Sequence, residues 1–320
     1  MIKSQSDQVL QTHYSQAFVD ALRPSKHGKW LQDELGRADK IMGCEAVVLG
    51  RYLDIRGRHV LDFGCGAGAS SVVWGKLGAI VTGVEPHGPL AAAARLRVTE
   101  DGVDDLVHIL HVPDTKNLPF AESTFDLVIC NAVFEHIAPR QRGVYVEELW
   151  RVLKRGGSLF LTETPNRLCP YDGHTTRLWG IPWLPLALAR RYGIWRGRIE
   201  PDKTEEDLVA MGIRGVTYFE IVSGLRGQPF RVIHPSGKDE IKYALDLDRP
   251  QNAVRRALKV GVVLGFRVLE CTVCRWTRTP IAAFLPDLTL CLQKPLVSRE
   301  YPSGGPPLSA GVDSAPARRG

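Results

Sequence analysis

The stretch that most constrains the chain is His59-Val60-Leu61-Asp62-Phe63-Gly64-Cys65-Gly66-Ala67-Gly68. A short apolar run feeds straight into a loop with glycine at every second position. The segment from Ala69 to Leu77 is able to open a helix. Glycines here let the backbone turn tightly and approach a ligand closely, and the first N–H groups of the helix are left to face that ligand. Glu85 ends the next apolar run, about 20 residues on, where a carboxylate can accept hydrogen bonds from the ribose hydroxyls of an adenosine. Gly64-x-Gly66-x-x-Ala69 and Glu85 also satisfy a dinucleotide fingerprint, so these residues by themselves leave the nucleoside cofactor open.

The surrounding pattern predicts the fold class. Short apolar, partly β-branched runs at His59–Phe63, Ile80–Glu85, Val107–Val112, Phe125–Cys130 and Ser158–Glu163 alternate with helix-length stretches. Strands buried on both faces read this way, and strand–helix repeats argue for an α/β, doubly wound parallel sheet. Five regions follow. Residues 1–56 form an N-terminal helical cap, with helices over Asp7–Leu22 and Asp39–Leu53. The core spans 57–166, and 167–251 interrupts the alternation as an insertion. Residues 252–297 return to the core with a helix at Asn252–Leu264 and strands at Phe266–Cys271 and Leu288–Leu292. The last stretch, 298–320, is rich in Gly, Pro, Ser and Ala and lacks the apolar groups that would offset its ordering entropy, so it is expected to be disordered.

Beyond the glycines, the blocks Asp62-x-Gly64-x-Gly66-x-Gly68, Val84-Glu85-Pro86, Pro113–Phe120, Phe125–Ile137 and Leu153–Thr162 stand in a fixed order. In that order and spacing they resemble the class I S-adenosylmethionine (SAM)-dependent methyltransferases, well over 59–166 and more loosely over 252–292. The resemblance implies a Rossmann-like, seven-stranded, mostly parallel sheet with the insertion placed before strand six. It implies SAM as cofactor, held by Asp62, Gly64, Gly66, Gly68, Glu85, Asp114 and Asn131, with Glu85 on the ribose and Asp114 on the exocyclic amine of adenine. Two other classes share part of the pattern. A nicotinamide-dependent oxidoreductase has the glycine loop and acid but does not account for 113–137 or 153–162. A non-catalytic SAM-binding scaffold keeps 59–118 but lacks an acceptor pocket.

Within the resemblance, the expected reaction is O-methylation of a small-molecule, lipid or saccharide acceptor. Such an oxygen often needs its proton removed, and histidine titrates in the useful range. His136 and His174 are the candidate catalytic bases. The Glu135-His136 pair is similar to the one in quinone-biosynthesis O-methyltransferases. His174 lies in the polar loop Thr164–Thr175, expected at the carboxyl edge of the sheet where open α/β folds bind ligands, with Asp172 placed to orient it. Tyr14 and Phe134 are candidate aromatic faces for the sulfonium cation. Asn131-Ala132-Val133-Phe134 departs from the Pro-Pro-aromatic loop of nucleobase amino methylation, and Cys130 lacks the preceding proline of cytosine methylation. No metal site is expected: Cys271-x-x-Cys274 has no partner pair at zinc spacing and reads as two strand thiols.

Composition bounds the partners. The 320 residues carry a formal charge of +6, and residues 151–200 hold nine Arg/Lys against three acids. Such a segment attracts nucleic acid, anionic lipid or phosphorylated substrate, or is simply a solvated surface; no nucleic-acid-binding module accompanies it. Residues 181–198 mix two Trp, a Tyr and four Arg, which suits a lid over the substrate, a peripheral membrane contact or a helical hairpin packed on the sheet. No apolar run approaches the roughly 20 residues of a membrane span, the first residues lack a signal-like apolar stretch, and seven scattered cysteines fit reduced thiols in the cytoplasm. Neither the acceptor nor the oligomeric state is specified.

Overall fold

A computed structural model of the chain describes residues 14–22, 33–50, 53–233 and 253–296. Its strands are β1 (His59–Phe63), β2 (Ile80–Glu85), β3 (Val107–His111), β4 (Phe125–Asn131), β5 (Leu153–Pro165), β6 (Arg231–Val232) and β7 (Asp287–Gln293). They form one mostly parallel seven-stranded sheet in the order β3-β2-β1-β4-β5-β7-β6. The five strands read from the apolar runs are all present. The chain divides into two compact units, residues 1–133 with 151–154, and residues 134–150 with 155–320.

In the first unit β1 pairs parallel with β2 and with β4, and β2 pairs parallel with β3. Val60, Leu61 and Phe63 of β1 and Val128, Ile129 and Cys130 of β4 are buried, as the near-continuous apolar runs require. Helix α1 (Gln16–Leu22), α2 (Arg37–Gly43) and α3 (Glu45–Gly50) precede the sheet, and α4 (Ala69–Lys76) and α5 (Gly88–Glu100) cross between its strands. Residues 69–75 of α4 are all buried, so this helix carries no polar stripe. It also accommodates Gly75, where a Cβ would lie 2.4 Å from the Val107 Cγ2 of β3. The N-terminal segment is clamped by Arg97 of α5. Its guanidinium is fully buried, pairs with Glu34 Oε1 at 2.7 Å, donates to the Glu34 carbonyl at 2.7 Å, and stacks on the rings of Tyr14 and Phe18.

In the second unit β5 pairs antiparallel with β7, and β7 antiparallel with β6. Glu163 takes a positive φ of 52° where the β5–β7 register shifts. Helix α6 (Arg142–Val152) leads into β5. Between β5 and β6 lie α7 (Leu186–Trp195), α8 (Glu205–Ala210) and α9 (Tyr218–Gly224). Helices α8 and α9 each open with a reciprocal capping box, Thr204 with Asp207 and Thr217 with Glu220, which satisfies two otherwise unpaired N–H groups at each start. Strand six falls at Arg231–Val232, inside the expected insertion of 167–251 and not after it.

A second expectation is overturned. The strand expected over Phe266–Cys271 is instead the end of helix α10 (Ala253–Leu269) and a π-helical turn, Glu270–Cys274. Cys271 and Cys274 are therefore helical thiols, exposed and buried respectively. The expectations for residues 7–13 and for the tail 298–320 lie outside the described residues.

Candidate functional site

The glycine loop forms a cradle in the first unit. Gly64, Gly66 and Gly68 have φ of 72°, 55° and 84°, a region costly for any residue with a Cβ. The three differ in what surrounds them. A Cβ on Gly64 would sit 2.8 Å from Val133 Cγ2, and one on Gly68 3.1 Å from Ala94, whereas a Cβ on Gly66 would meet no protein atom within 4 Å. Gly66 thus faces open space on the cradle side, and the other two are packed from behind.

Glu85, at the end of β2, is buried, and its carboxylate is aimed by the loop: Gly66 N–H donates to Oε2 and His87 N–H to Oε1, each at 2.9 Å. Each oxygen keeps a further lone pair, since a carboxylate offers about four acceptor sites. Burial pushes this carboxyl up from its ordinary range, opposed by the two backbone donors. A buried carboxylate with one lone pair per oxygen already used for positioning suits a ribose diol, and the fit supports the adenosine cofactor. Asp62, one per cent exposed, accepts from Ser71 Oγ at 2.6 Å. Burial drives its carboxyl up to about 6, against the pull of Ser71, Ser70 and Arg37. It braces the loop against α4.

Asn131 and Asp114 come out differently from each other. The Asn131 amide is held at both ends: Arg37 Nη2 of α2 donates to Oδ1 at 2.6 Å, and Nδ2 donates to the Glu45 carboxylate of α3. The buried residue the resemblance assigned to the cofactor therefore also ties β4 to the N-terminal helices. Asp114 is exposed and organises its own turn, accepting from Lys116 N–H at 3.1 Å and Asn117 Nδ2 at 3.3 Å.

The second unit brings His136 and His174 together, with ring centroids 6.0 Å apart. Both Nε2 atoms lie 3.9 Å from Oε1 of fully buried Glu135. Their tautomers follow from their neighbours. The Ala210 carbonyl can only accept, so the 2.6 Å contact puts a proton on His136 Nδ1. Thr175 Oγ1 donates to the Met211 carbonyl at 3.1 Å and so accepts from His174 Nδ1 at 3.2 Å. In both neutral rings Nε2 is then the basic nitrogen, and both face the same carboxylate. The three ligand atoms lie within 4.8 Å of one another, a geometry able to share a proton or to hold a divalent cation. Asp172 holds the backbone that carries the His174 ring. Its oxygens accept the backbone N–H groups of His174, Thr175 and Thr176 and the Thr176 hydroxyl, so it shapes the loop, while Glu135 faces the ring.

Both aromatic candidates serve packing. Phe134 is fully buried. Tyr14 belongs to a core cluster with Phe18, Leu22, Ala67 and Ala93, its hydroxyl donating to Asp101 at 2.9 Å. The sequence singled out Glu135 only as a neighbour of His136 and not as the partner of both rings, and it did not single out Arg37 or Glu45. Glu135 had a signal in its place beside His136; the other two contact Asn131 from more than 80 residues away, with no local sign.

Comparison with known proteins adds an independent observation. Residues 61–161 match a family described as "Methyltransferase domain". A "Ubiquinone biosynthesis O-methyltransferase" of Xanthomonas oryzae pv. oryzae is 31% identical over 194 residues, covering 60% of this chain and 76% of the relative. The "Ubiquinone biosynthesis O-methyltransferase, mitochondrial" of Mus musculus is 27% identical over 195 residues, covering 59% of this chain and 50% of the relative. A Coxiella burnetii protein with the bacterial name is 33% identical over 117 residues, covering 37% and 47%.

Proposed function

We propose, for a chain that belongs to the class I SAM-dependent methyltransferases, that it methylates a hydroxyl oxygen of a small-molecule acceptor. The cofactor is S-adenosyl-L-methionine, whose sulfonium carbon supplies the methyl group. On this reading Glu85 accepts from the ribose hydroxyls, Gly64–Gly68 lets the backbone approach the cofactor, and Asp114 accepts from the adenine amine. Asn131 presents the end of β4 in a fixed orientation, its amide already bound by Arg37 and Glu45.

The observation that carries an oxygen acceptor is the Glu135-His136-His174 cluster. Each ring has its Nδ1 proton tied to an oxygen acceptor, leaving Nε2 to take the acceptor's proton, and Glu135 stabilises the imidazolium so formed. The names of the curated relatives support the same reaction class. The exposed Trp179, Trp183 and Trp195, together with Arg191 and Arg196, support the insertion as a lid or interfacial contact for an acceptor with an apolar body, lipid and saccharide acceptors included. Seven free cysteines support a reducing compartment, the cytoplasm. Among the described residues no helix is long and apolar enough to cross a membrane.

Isothermal titration with SAM and with NAD tests the cofactor: SAM heat without NAD heat is expected, and the reverse would end this reading. His136→Ala and His174→Ala are then assayed on a panel of hydroxylated acceptors. A base contributes about 10²–10⁴-fold, so turnover should fall by that order with SAM affinity kept. Full turnover in both variants across about pH 6–9 would remove histidine as the base. A chelator should leave turnover intact; loss restored by a divalent ion would make the cluster a metal site instead.

A further inference from the structure

Arg142, the first residue of α6, stands where stability alone would not put it. Its side chain is one per cent exposed, and among the described residues its Nη2 has no hydrogen-bond partner. An unpaired buried donor is costly, and a cation at a helix N-terminus meets the positive end of the helix dipole. Well-packed apolar side chains often replace a buried ion pair with no loss of stability, provided both partners are changed. What arginine alone supplies is a rigid planar fork whose donors point in fixed directions.

The fork joins two parts of the second unit. Nε donates at 3.0 Å to the carbonyl of Ile137, the residue after His136, and Nη1 donates at 3.0 Å to Glu220 Oε1 of α9. The other oxygen of Glu220 accepts the Thr217 N–H and hydroxyl, so this carboxylate is itself fixed. The two candidate bases are carried differently. The loop after β5, which bears His174, is joined to the insertion by backbone hydrogen bonds: Val216 N–H donates to the Pro165 carbonyl at 2.8 Å, and Arg167 N–H to the Val216 carbonyl at 3.0 Å. The turn Phe134–His136 is joined to the insertion by side chains, namely the Arg142 fork and the His136 ring, which meets the Ala210 carbonyl at 2.6 Å. The fit there has little slack, since a Cβ on Gly212 would lie 2.9 Å from Glu135 Cγ.

We propose that Arg142 is a positioning residue. It sets the turn after β4 in register with the insertion, so that Glu135 and His136 on the turn meet His174 on the loop after β5. Its effect on the reaction runs through those three side chains. The proposal deepens the methyltransferase reading and rests on it for the consequence for turnover, but the histidine geometry has a readout of its own.

The test reads histidine tautomers from two-bond proton–nitrogen correlation spectra of the full chain, labelled with nitrogen-15 in histidine and held where the rings are neutral. In the wild type both rings should show the Nδ1–H form. In the double variant Arg142→Met, Glu220→Gln, His136 should lose that fixed form and show a mixture of the two tautomers. His174, whose loop the backbone bonds still hold, should keep Nδ1–H. Turnover on the panel of hydroxylated acceptors should fall by about 10²-fold, the order expected for a misplacement of about 1 Å. The melting temperature and the S-adenosylhomocysteine affinity should stay close to wild type. Arg142→Lys keeps the charge without the fork and should show the same losses in weaker form. Unchanged His136 signals and turnover in the double variant would overturn the proposal, as would a wild type without the Nδ1–H form at His136. Loss of both ring signatures together with a fall in melting temperature would overturn it too, because a general structural role produces that result. Should the double variant fail to fold, Arg142→Lys decides by the same signals. Absence of turnover in the wild type would strike the methyltransferase reading instead, and the tautomers would still decide the role of Arg142.

Discussion

Asp62 is a buried carboxyl whose ionisation the fold opposes, and the opposition has a sign and a size. Burial raises it from 3.8 to about 6. A group with a raised folded-state value favours the protonated fold. Its stabilisation is complete below pH 3.8 and is lost as the pH rises through about 6. A rise of that extent corresponds to about 3 kcal/mol, of which about 2 kcal/mol falls between about pH 4.5 and pH 8. Asp62→Asn removes the titration and keeps an oxygen for the Ser71 hydroxyl. Measured by urea unfolding without cofactor, the variant should gain about 2 kcal/mol relative to the wild type on going from about pH 4.5 to pH 8, whatever its starting offset. Glu85 is raised as well and its charge acts on Asp62, so the comparison is made with Glu85→Gln in both backgrounds to keep its titration out of the difference. A difference that stays constant across the range would mean that Asp62 titrates as though solvated, and the argument from burial would be refuted.

Three further outcomes are expected. Glu85→Gln should weaken SAM binding by about 1–3 kcal/mol in calorimetry, and wild-type affinity should decline as acid protonates this raised carboxyl; an unaltered Kd would remove Glu85 from the ribose. Gly64→Ala and Gly66→Ala share the strain of a left-handed backbone, but only the former also meets Val133, so it should lower the melting temperature more, whereas Gly66→Ala intrudes on the open side of the cradle and should weaken SAM binding; the opposite ranking would misplace the cofactor. Arg97→Met strands the buried Glu34 charge and should cost about 3–5 kcal/mol in urea unfolding, most of it recovered by adding Glu34→Gln; no recovery would show that packing against Tyr14 and Phe18, not charge, holds the clamp.

What the sequence disclosed follows from how each feature is encoded. Parallel strands buried on both faces need contiguous apolar residues, so β1 to β5 could be read directly, and the glycine loop with Glu85 is written in consecutive residues. Strand β6 has only two residues, and backbone pairing with β7 leaves no side-chain period to find. Phe266–Cys271 reads as a strand but folds as helix because a short apolar, β-branched run does not distinguish the two. The helix was legible over Asn252–Leu264, and only its continuation to Leu269 and the π-helical turn after it were not. The candidate bases were legible as residues, but Glu135 as their shared partner was not, because a backward contact from the insertion to the loop after β4 has no linear signature. The same holds for Arg37 and Glu45 at Asn131.

The contact between Gly75 and Val107 bears on how this chain can change over time. In an exposed helix, replacing glycine with alanine would gain about 0.5–1 kcal/mol, so drift should favour it. Here the new methyl would intrude on Val107, and overpacking of that kind costs about 1–3 kcal/mol. Shrinking Val107 first opens a hole under the helix instead. Either substitution taken first is a step down, while the pair together restores the fit. The two positions, 32 apart in the chain, are therefore bound into one inherited choice, and a lineage that leaves the glycine–valine pairing must cross a fitness valley or change both residues at once.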